Sequence, residues 1–103
     1  MFLVQLLIPL ADNSGKRFPE RHFTTVSAEL SAKFGGLTAF TRSPAVGLWR
    51  EDADEPPQRD DIVVYEVLVD EIDRDWWAGY RGKLEQRLDQ EELIIRAHEV
   101  QRL

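Results

Sequence analysis

Residues 34–49 read Phe-Gly-Gly-Leu-Thr-Ala-Phe-Thr-Arg-Ser-Pro-Ala-Val-Gly-Leu-Trp, and this segment ends a helix and begins a strand. Gly35 and Gly36 follow the last apolar residue of a helical pattern, where positive φ is favoured and a side chain is costly. The next residues predict an extended strand, which Ser43-Pro44 interrupts and residues 45–49 resume. We therefore expect a kinked second strand or a small hairpin.

Two amphipathic helices are predicted, one on each side of this segment. In each, apolar residues recur at steps of three and four, which places them on one helical face. The first helix follows Pro19, a residue favoured at helix starts, and its apolar face comprises Phe23, Val26, Leu30 and Phe34. The second follows Asp73, a good N-cap, and its apolar face comprises Trp77, Tyr80, Leu84 and Leu88.

Three further segments predict strands. Residues 2–8 and 62–69 are the most apolar, and residues 92–100 close the chain, whereas the charged segment 51–60 with its Pro56-Pro57 predicts a polar loop. The resulting order, β-α-β-β-α-β, predicts an α+β fold of the ferredoxin-like type. In that fold a four-stranded antiparallel sheet carries both helices on one face, and the first and third strands are central. A chain of 103 residues forms a single such domain, residues 1–103.

Composition narrows the classes of function. The net charge of −6 repels a polyanion, so we expect no nucleic-acid partner. The absence of cysteine excludes disulfides, thiolate metal sites and cysteine nucleophiles, and with two histidines we expect no metal site. The apolar residues 1–10 lack the basic start and the cleavage site of a signal peptide and are too short to span a bilayer. We therefore expect a cytoplasmic protein with no membrane partner.

The alternation of side chains divides each strand between two faces of the sheet. One face is wholly apolar and should pack under the helices. The other face is also largely aliphatic and would leave an apolar patch larger than a soluble monomer usually exposes. No remaining element of the chain is apolar enough to cover it, so the sequence predicts a homodimer that packs sheet against sheet.

This second face carries Gln5, Glu66, Arg96 and His98, and two interpretations of these residues stay open. In one, they form a hydrogen-bonded cluster that offsets the burial of Glu66, with Arg96 or His98 as its partner, and fixes the dimer register. In the other they form a ligand site, with Arg96 binding an anion and His98, the best catalytic candidate, exchanging a proton.

Arg42 and Trp49 are further candidate ligand-binding residues. They belong to the strand that contains the proline bend, and places where a strand edge meets such a bend often line pockets. A tryptophan there provides a flat surface for an aromatic ligand, and an arginine provides a cation for an anionic one.

The order of elements, the doubly apolar sheet and the helix-ending Phe34-Gly35-Gly36 together resemble the dimeric ferredoxin-like, or dimeric α/β-barrel, superfamily. Residues 34–49 are also similar to segments of small bacterial proteins of unassigned function. The superfamily includes cofactor-independent monooxygenases, haem-handling enzymes, isomerases and simple binding modules. The resemblance implies a homodimer with a pocket between sheet and helices, and thus a small-molecule-binding protein or an enzyme that needs no cofactor. The alternative is a non-catalytic structural or interaction module.

Overall fold

The structure is a computed structural model, and it describes the backbone of residues 1–49 and 58–103 and the side chains of residues 1–40 and 61–103. Along the chain the elements are β1 (Phe2–Pro9), α1 (Glu20–Phe34), β2 (Thr38–Trp49), β3 (Gln58–Val69), α2 (Arg74–Arg87) and β4 (Ile94–Glu99). Neither helix of the described chain is long and apolar enough to cross a membrane.

The four strands form one antiparallel sheet in the order β2-β3-β1-β4. The two most apolar strands are therefore central, and β1 pairs with β3 along its whole length, from Phe2 opposite Val69 to Pro9 opposite Ile62. This is the ferredoxin-like arrangement that the sequence predicts, and that prediction is confirmed.

The strand boundaries differ in part from the sequence prediction. β2 is a single strand whose register with β3 shifts between Phe40 and Ala45, the interval that contains Ser43-Pro44. A shift there is expected because proline has no N–H to donate to the ladder. β3 begins at Gln58, so the predicted loop is wrong for residues 58–60, where pairing with β2 overrides the polar composition. The rest of that loop prediction lies outside the described residues.

Both helix boundaries follow from local capping. Gly35 ends α1 with φ of 78°, and its N–H donates to the Ser31 carbonyl oxygen at 2.8 Å. Asp73 begins α2, because its carboxylate accepts a hydrogen bond from the Trp76 backbone N–H at 3.1 Å. These caps confirm the predicted end of the first helix and the predicted start of the second.

The core fills one side of the sheet. Buried side chains from β1 and β3 pack with Val26 and Leu30 of α1 and with Trp77 and Leu84 of α2, so both helices cover the same face. The sheet contributes Val4, Leu6, Ile8, Val63, Tyr65, Val67 and Val69 to this core. We call the uncovered side of the sheet the open face, and its described side chains are Leu3, Gln5, Leu7, Pro9, Thr38, Phe40, Ile62, Val64, Glu66, Leu68, Ile94, Arg96 and His98.

Two glycines should respond in opposite ways to the same substitution. An added Cβ meets no atom within 4 Å at either Gly35 or Gly79, so backbone conformation decides both results. Gly35→Ala places a side chain at positive φ and should lower the free energy of unfolding by about 1 kcal/mol. Gly79→Ala lies inside α2 and should raise it by about 1 kcal/mol. Urea denaturation of both variants tests this, and changes of the same sign would contradict these cap and helix assignments.

Candidate functional site

The open face is organised in rows that cross the sheet. The polar row contains Thr38, Glu66, Gln5 and Arg96, one residue from each strand in sheet order. The row on one side of it is apolar and contains Phe40, Val64, Leu7 and Ile94. The row on the other side contains Leu68, Leu3 and His98. The polar row thus lies between a wholly apolar row and one that is apolar except for His98.

Hydrogen bonds join three members of the polar row. Gln5 Nε2 donates to Glu66 Oε2 at 2.7 Å, and Arg96 Nε donates to Gln5 Oε1 at 2.9 Å. Both ends of the Gln5 amide are therefore used, which fixes the amide orientation and holds the Glu66 carboxylate in place. Gln5 and Glu66 are half-buried, whereas Arg96 is exposed on the edge strand.

Strand order explains why Gln5 lies between the two charges. Glu66 is on β3 and Arg96 is on β4, and β1 separates these strands. Neighbouring strands are about 4.8 Å apart, so the two Cα atoms are separated by roughly 10 Å. The sequence interpretation gave Glu66 a direct partner in Arg96 or His98, whereas in the structure its contact to Arg96 passes through the Gln5 amide.

The other sequence-predicted site residues are not seen in contact with the polar row. His98 shares the open face, but it pairs with Leu3 in the next row and is exposed, and its imidazole makes no hydrogen bond with a residue that the structure describes. The backbones of Arg42 and Trp49 belong to β2, and their side chains lie outside the described part of the structure. Gln5, Glu66 and Arg96 are thus the predicted residues that the described structure brings into contact.

Apolar groups beside the polar row are exposed in the single chain. Phe40, Leu68 and Ile94 have 48%, 46% and 53% of their surface accessible. Leu3, Leu7, Ile62 and Val64 are partly accessible on the same face. The apolar patch expected from the sequence is therefore present, with the Glu66 carboxylate near its middle.

Two clefts among the described residues lie at the margins of the helical layer. One, between α2 and β4, has a volume of about 280 Å³. The other is a wider groove of about 670 Å³ between α1 and α2, and it is lined by Glu29, Ala32, Lys33, Asp75, Trp76, Gly79, Tyr80 and Lys83. The resemblance implied a pocket between sheet and helices, but in the described residues that space is occupied by the core.

An aromatic cluster adjoins the groove between α1 and α2, and two of its members, Trp76 and Tyr80, line the groove. The Phe34 ring stacks on Trp77, with centroids 5.2 Å apart and planes 4° apart, and Trp76 stacks on Tyr80 at 5.0 Å. Lys33 Nζ lies 5.3 Å from the centroid of the Trp76 ring, within the range of a cation–π interaction. Trp76 is thus engaged with its neighbours and stabilises the contact between the helices.

Glu29 connects the helices through charge. Arg87 Nη1 and Nη2 donate to the two Glu29 carboxylate oxygens at 2.6 and 3.2 Å, and the Tyr80 hydroxyl donates to Oε1 at 3.4 Å. The Arg87 hydrogen bonds hold the pKa of Glu29 below its usual value. Burial, with the negative charge of Glu29 in addition, raises the pKa of Tyr80, so its hydroxyl stays protonated and acts as a donor. The sequence gave no signal for this pair, because its members are 58 residues apart.

Known proteins resemble this chain in fold. No protein-family model matches the sequence, and no curated protein matches it either. Solved structures do match, and the fold they share with this chain is a small α+β fold.

The matching structures are those of a phage SAM lyase. The complex with S-methyl-5′-thioadenosine matches with a TM-score of 0.59 and 13% identity, over 95% of this chain and 80% of that chain. The apo state matches with a TM-score of 0.60 and 12% identity, over 94% of this chain and 78% of that chain. At such low identity the likeness establishes the fold.

The ion pair of Glu29 and Arg87 predicts a pH-dependent contribution to stability. A carboxyl group with a lowered pKa in the folded state stabilises the fold above its unfolded pKa of about 4.5, and this contribution is lost as pH falls through the folded pKa. Glu29→Gln should therefore lower the free energy of unfolding by about 1 kcal/mol at pH 7.

Urea unfolding at about pH 7 and about pH 3 measures this difference. The gap between the two proteins should narrow at the lower pH, because protonated glutamate and glutamine are then similar neutral groups. All other carboxyl groups are present in both proteins, so their contributions to the free energy of unfolding cancel in the difference. A gap that is constant with pH would show that the carboxylate charge contributes nothing to folding.

Proposed function

We propose that this chain is a homodimeric small-molecule-binding protein or cofactor-independent enzyme whose ligand site is on the open face. The observation that carries the proposal is the Glu66 carboxylate, which is half-buried on a largely apolar surface and held by the Gln5 amide. A fixed anion on such a surface is costly to desolvate, and it suits a ligand that supplies positive charge and apolar area together.

The proposed class of ligand is an adenosyl sulfonium or thioether compound, with SAM as the first candidate. The fold neighbours support this class, since one of them is a SAM lyase in complex with S-methyl-5′-thioadenosine. SAM is S-adenosylmethionine, which combines a sulfonium cation, a flat adenine ring and a carboxylate. In the proposed mode the sulfonium approaches Glu66, the adenine covers exposed apolar side chains such as Phe40, and the ligand carboxylate approaches Arg96.

The other predicted residues have defined places in this proposal. His98 lies one row from the polar row on the same face, so it is the candidate for proton exchange with a ligand bound there. Arg42 and Trp49 are proposed to border the ligand from β2. If the protein is an enzyme, His98→Gln should abolish turnover of the ligand bound on the open face while leaving the fold intact.

The ligand proposal predicts a specific effect of removing one charge. Isothermal titration of the wild-type protein with SAM and with S-methyl-5′-thioadenosine should detect binding. Glu66→Gln keeps the shape and a hydrogen-bonding group but removes the anion, so SAM should bind at least about tenfold more weakly, as expected for the loss of a charged contact. The uncharged thioether should be affected less.

A matched control separates this site from general electrostatics. Glu20→Gln removes the same charge from an exposed position on α1 and should leave SAM binding unchanged. No binding of either compound at millimolar concentration would reject the adenosyl class. Binding that Glu66→Gln does not weaken would place the site elsewhere.

The proposed partner of the open face is a second copy of the chain, which would enclose the ligand between the two sheets, and the order of charges supports it. Glu66 and Arg96 pair with Gln5 from the two strands on either side of β1. A two-fold axis parallel to the strands and above β1 keeps each row opposite itself and exchanges β3 with β4. Each Glu66 then faces an Arg96 of the other copy, and apolar rows face apolar rows. An axis across the strands would instead place Glu66 opposite Glu66.

This pairing predicts what happens when the charges of Glu66 and Arg96 are exchanged. Sedimentation of the purified variants measures how strongly each one dimerises. Glu66→Arg and Arg96→Glu each place like charges opposite one another and should weaken dimerisation at least about tenfold. The double variant restores opposite charges and should dimerise like the wild type, since the Gln5 amide can turn to serve the reversed pair. A double variant as weak as the single ones would overturn the proposed axis.

The alternative function is a non-catalytic interaction module in which the polar row fixes the dimer register. It is favoured by one observation, that the Gln5 amide and the charges beside it already make hydrogen bonds within the chain and so need no ligand. In that case Glu66→Ala should weaken dimerisation, and neither SAM nor S-methyl-5′-thioadenosine should bind. Both functions predict a dimer that depends on Glu66, so ligand titration is the experiment that distinguishes them.

A further inference from the structure

The cleft between α2 and β4 combines an apolar floor with basic walls. Its lining includes Val4, Ile72, Trp77 and Ile95, which give the floor, and Arg74 and Arg81 of α2. Arg96 of β4 borders the cleft with its backbone only, since its side chain lies on the open face. The cleft exists because Ala78 and Ala97 present small side chains where α2 passes the edge strand. Its volume of about 280 Å³ suits a ligand of the size of one substituted ring.

Helix geometry aims the two arginines of α2 at the same cleft. Arg74, Ala78 and Arg81 are spaced by four and three residues, which places them on one side of α2 with the alanine between the two guanidinium groups. Both arginines are exposed, and within the residues that the structure describes neither guanidinium group forms a salt bridge or hydrogen bond. Among these described residues the Arg74 guanidinium stays unpaired although Asp73 and Asp75 flank it in the sequence.

The charge of the cleft is opposite to that of the whole protein. The chain carries a net charge of −6, yet no carboxylate is among the described residues that line this cleft. Guanidinium groups form planar, paired hydrogen bonds with carboxylate and phosphate oxygens. An apolar floor adds favourable burial for a ligand that also carries a ring or an alkyl group.

From these features we infer that the cleft between α2 and β4 is a second binding site, which takes a small organic anion with an apolar body, a carboxylate or a phosphate ester. Arg74 and Arg81 bind the acidic group, and the apolar body packs on Trp77 and Ile95 next to Ala78. The site is separate from the open face, because these side chains lie on the helical side of the sheet.

Titration of the ¹⁵N-labelled protein with phenyl phosphate and with 3-phenylpropionate tests the inference. We expect the backbone amide signals of Ala78, Arg81 and Ala97 to shift, and the head group that binds more tightly identifies the preferred acid. Arg74→Gln and Arg81→Gln should each weaken binding at least about tenfold. Arg21→Gln, at an exposed position on α1, removes the same charge and should have no effect.

A second variant tests the cleft itself. Ala78 is exposed, so Ala78→Leu should keep the fold while filling the space between the arginines, and binding should be lost. Ala97→Leu fills the cleft from β4 and gives an independent check. The inference is overturned if neither probe shifts these signals at millimolar concentration, if Ala78→Leu and Ala97→Leu bind as the wild type does, or if inorganic phosphate binds as tightly as phenyl phosphate.

Discussion

Each strand of the central sheet carries apolar side chains on both of its faces, while both helices cover the same face. This mismatch is the constraint on which the rest of the structure depends. The covered face forms the core with α1 and α2. The open face keeps Phe40, Leu68 and Ile94 about half accessible. Burying such area is worth about 25 cal/mol per Å², so a surface of this kind favours a second layer of protein or ligand.

The polar row shows how the open face stays compatible with that burial. A charged Glu66 facing an apolar layer would be costly if its carboxylate had no partner. The Gln5 amide provides that partner by donating a hydrogen bond to Glu66, and it accepts another from Arg96 at the edge of the sheet. The row therefore has a negative and a positive side with a neutral centre. That order suits a copy of itself, and it equally suits a ligand that carries both signs of charge.

Local signals made most of the fold predictable from the sequence. Gly35 and Asp73 mark helix ends by their own conformational and hydrogen-bonding preferences, and the structure confirms both. The strand order followed from the number and type of elements. Gln58, by contrast, was assigned to a loop on its polar surroundings and belongs to β3, because pairing between strands can override local composition.

The candidate sites were predictable only where strand alternation defines them. Alternation placed Gln5, Glu66 and Arg96 on one face, but it did not show that Gln5 would separate the two charges, which depends on β1 lying between β3 and β4. The pairing of Glu29 with Arg87 and the cleft beside Ala78 had no sequence signal. Both arise from the way the helices pack, which brings together residues that are distant in the chain.

The most direct test of the account is the mass of the wild-type protein in solution. Sedimentation equilibrium over a range of micromolar concentrations measures it without any substitution or ligand. We expect twice the mass of one chain, since we propose that a second copy covers the open face. A single-chain mass throughout that range would contradict it, and the apolar surface beside Glu66 would then need another explanation.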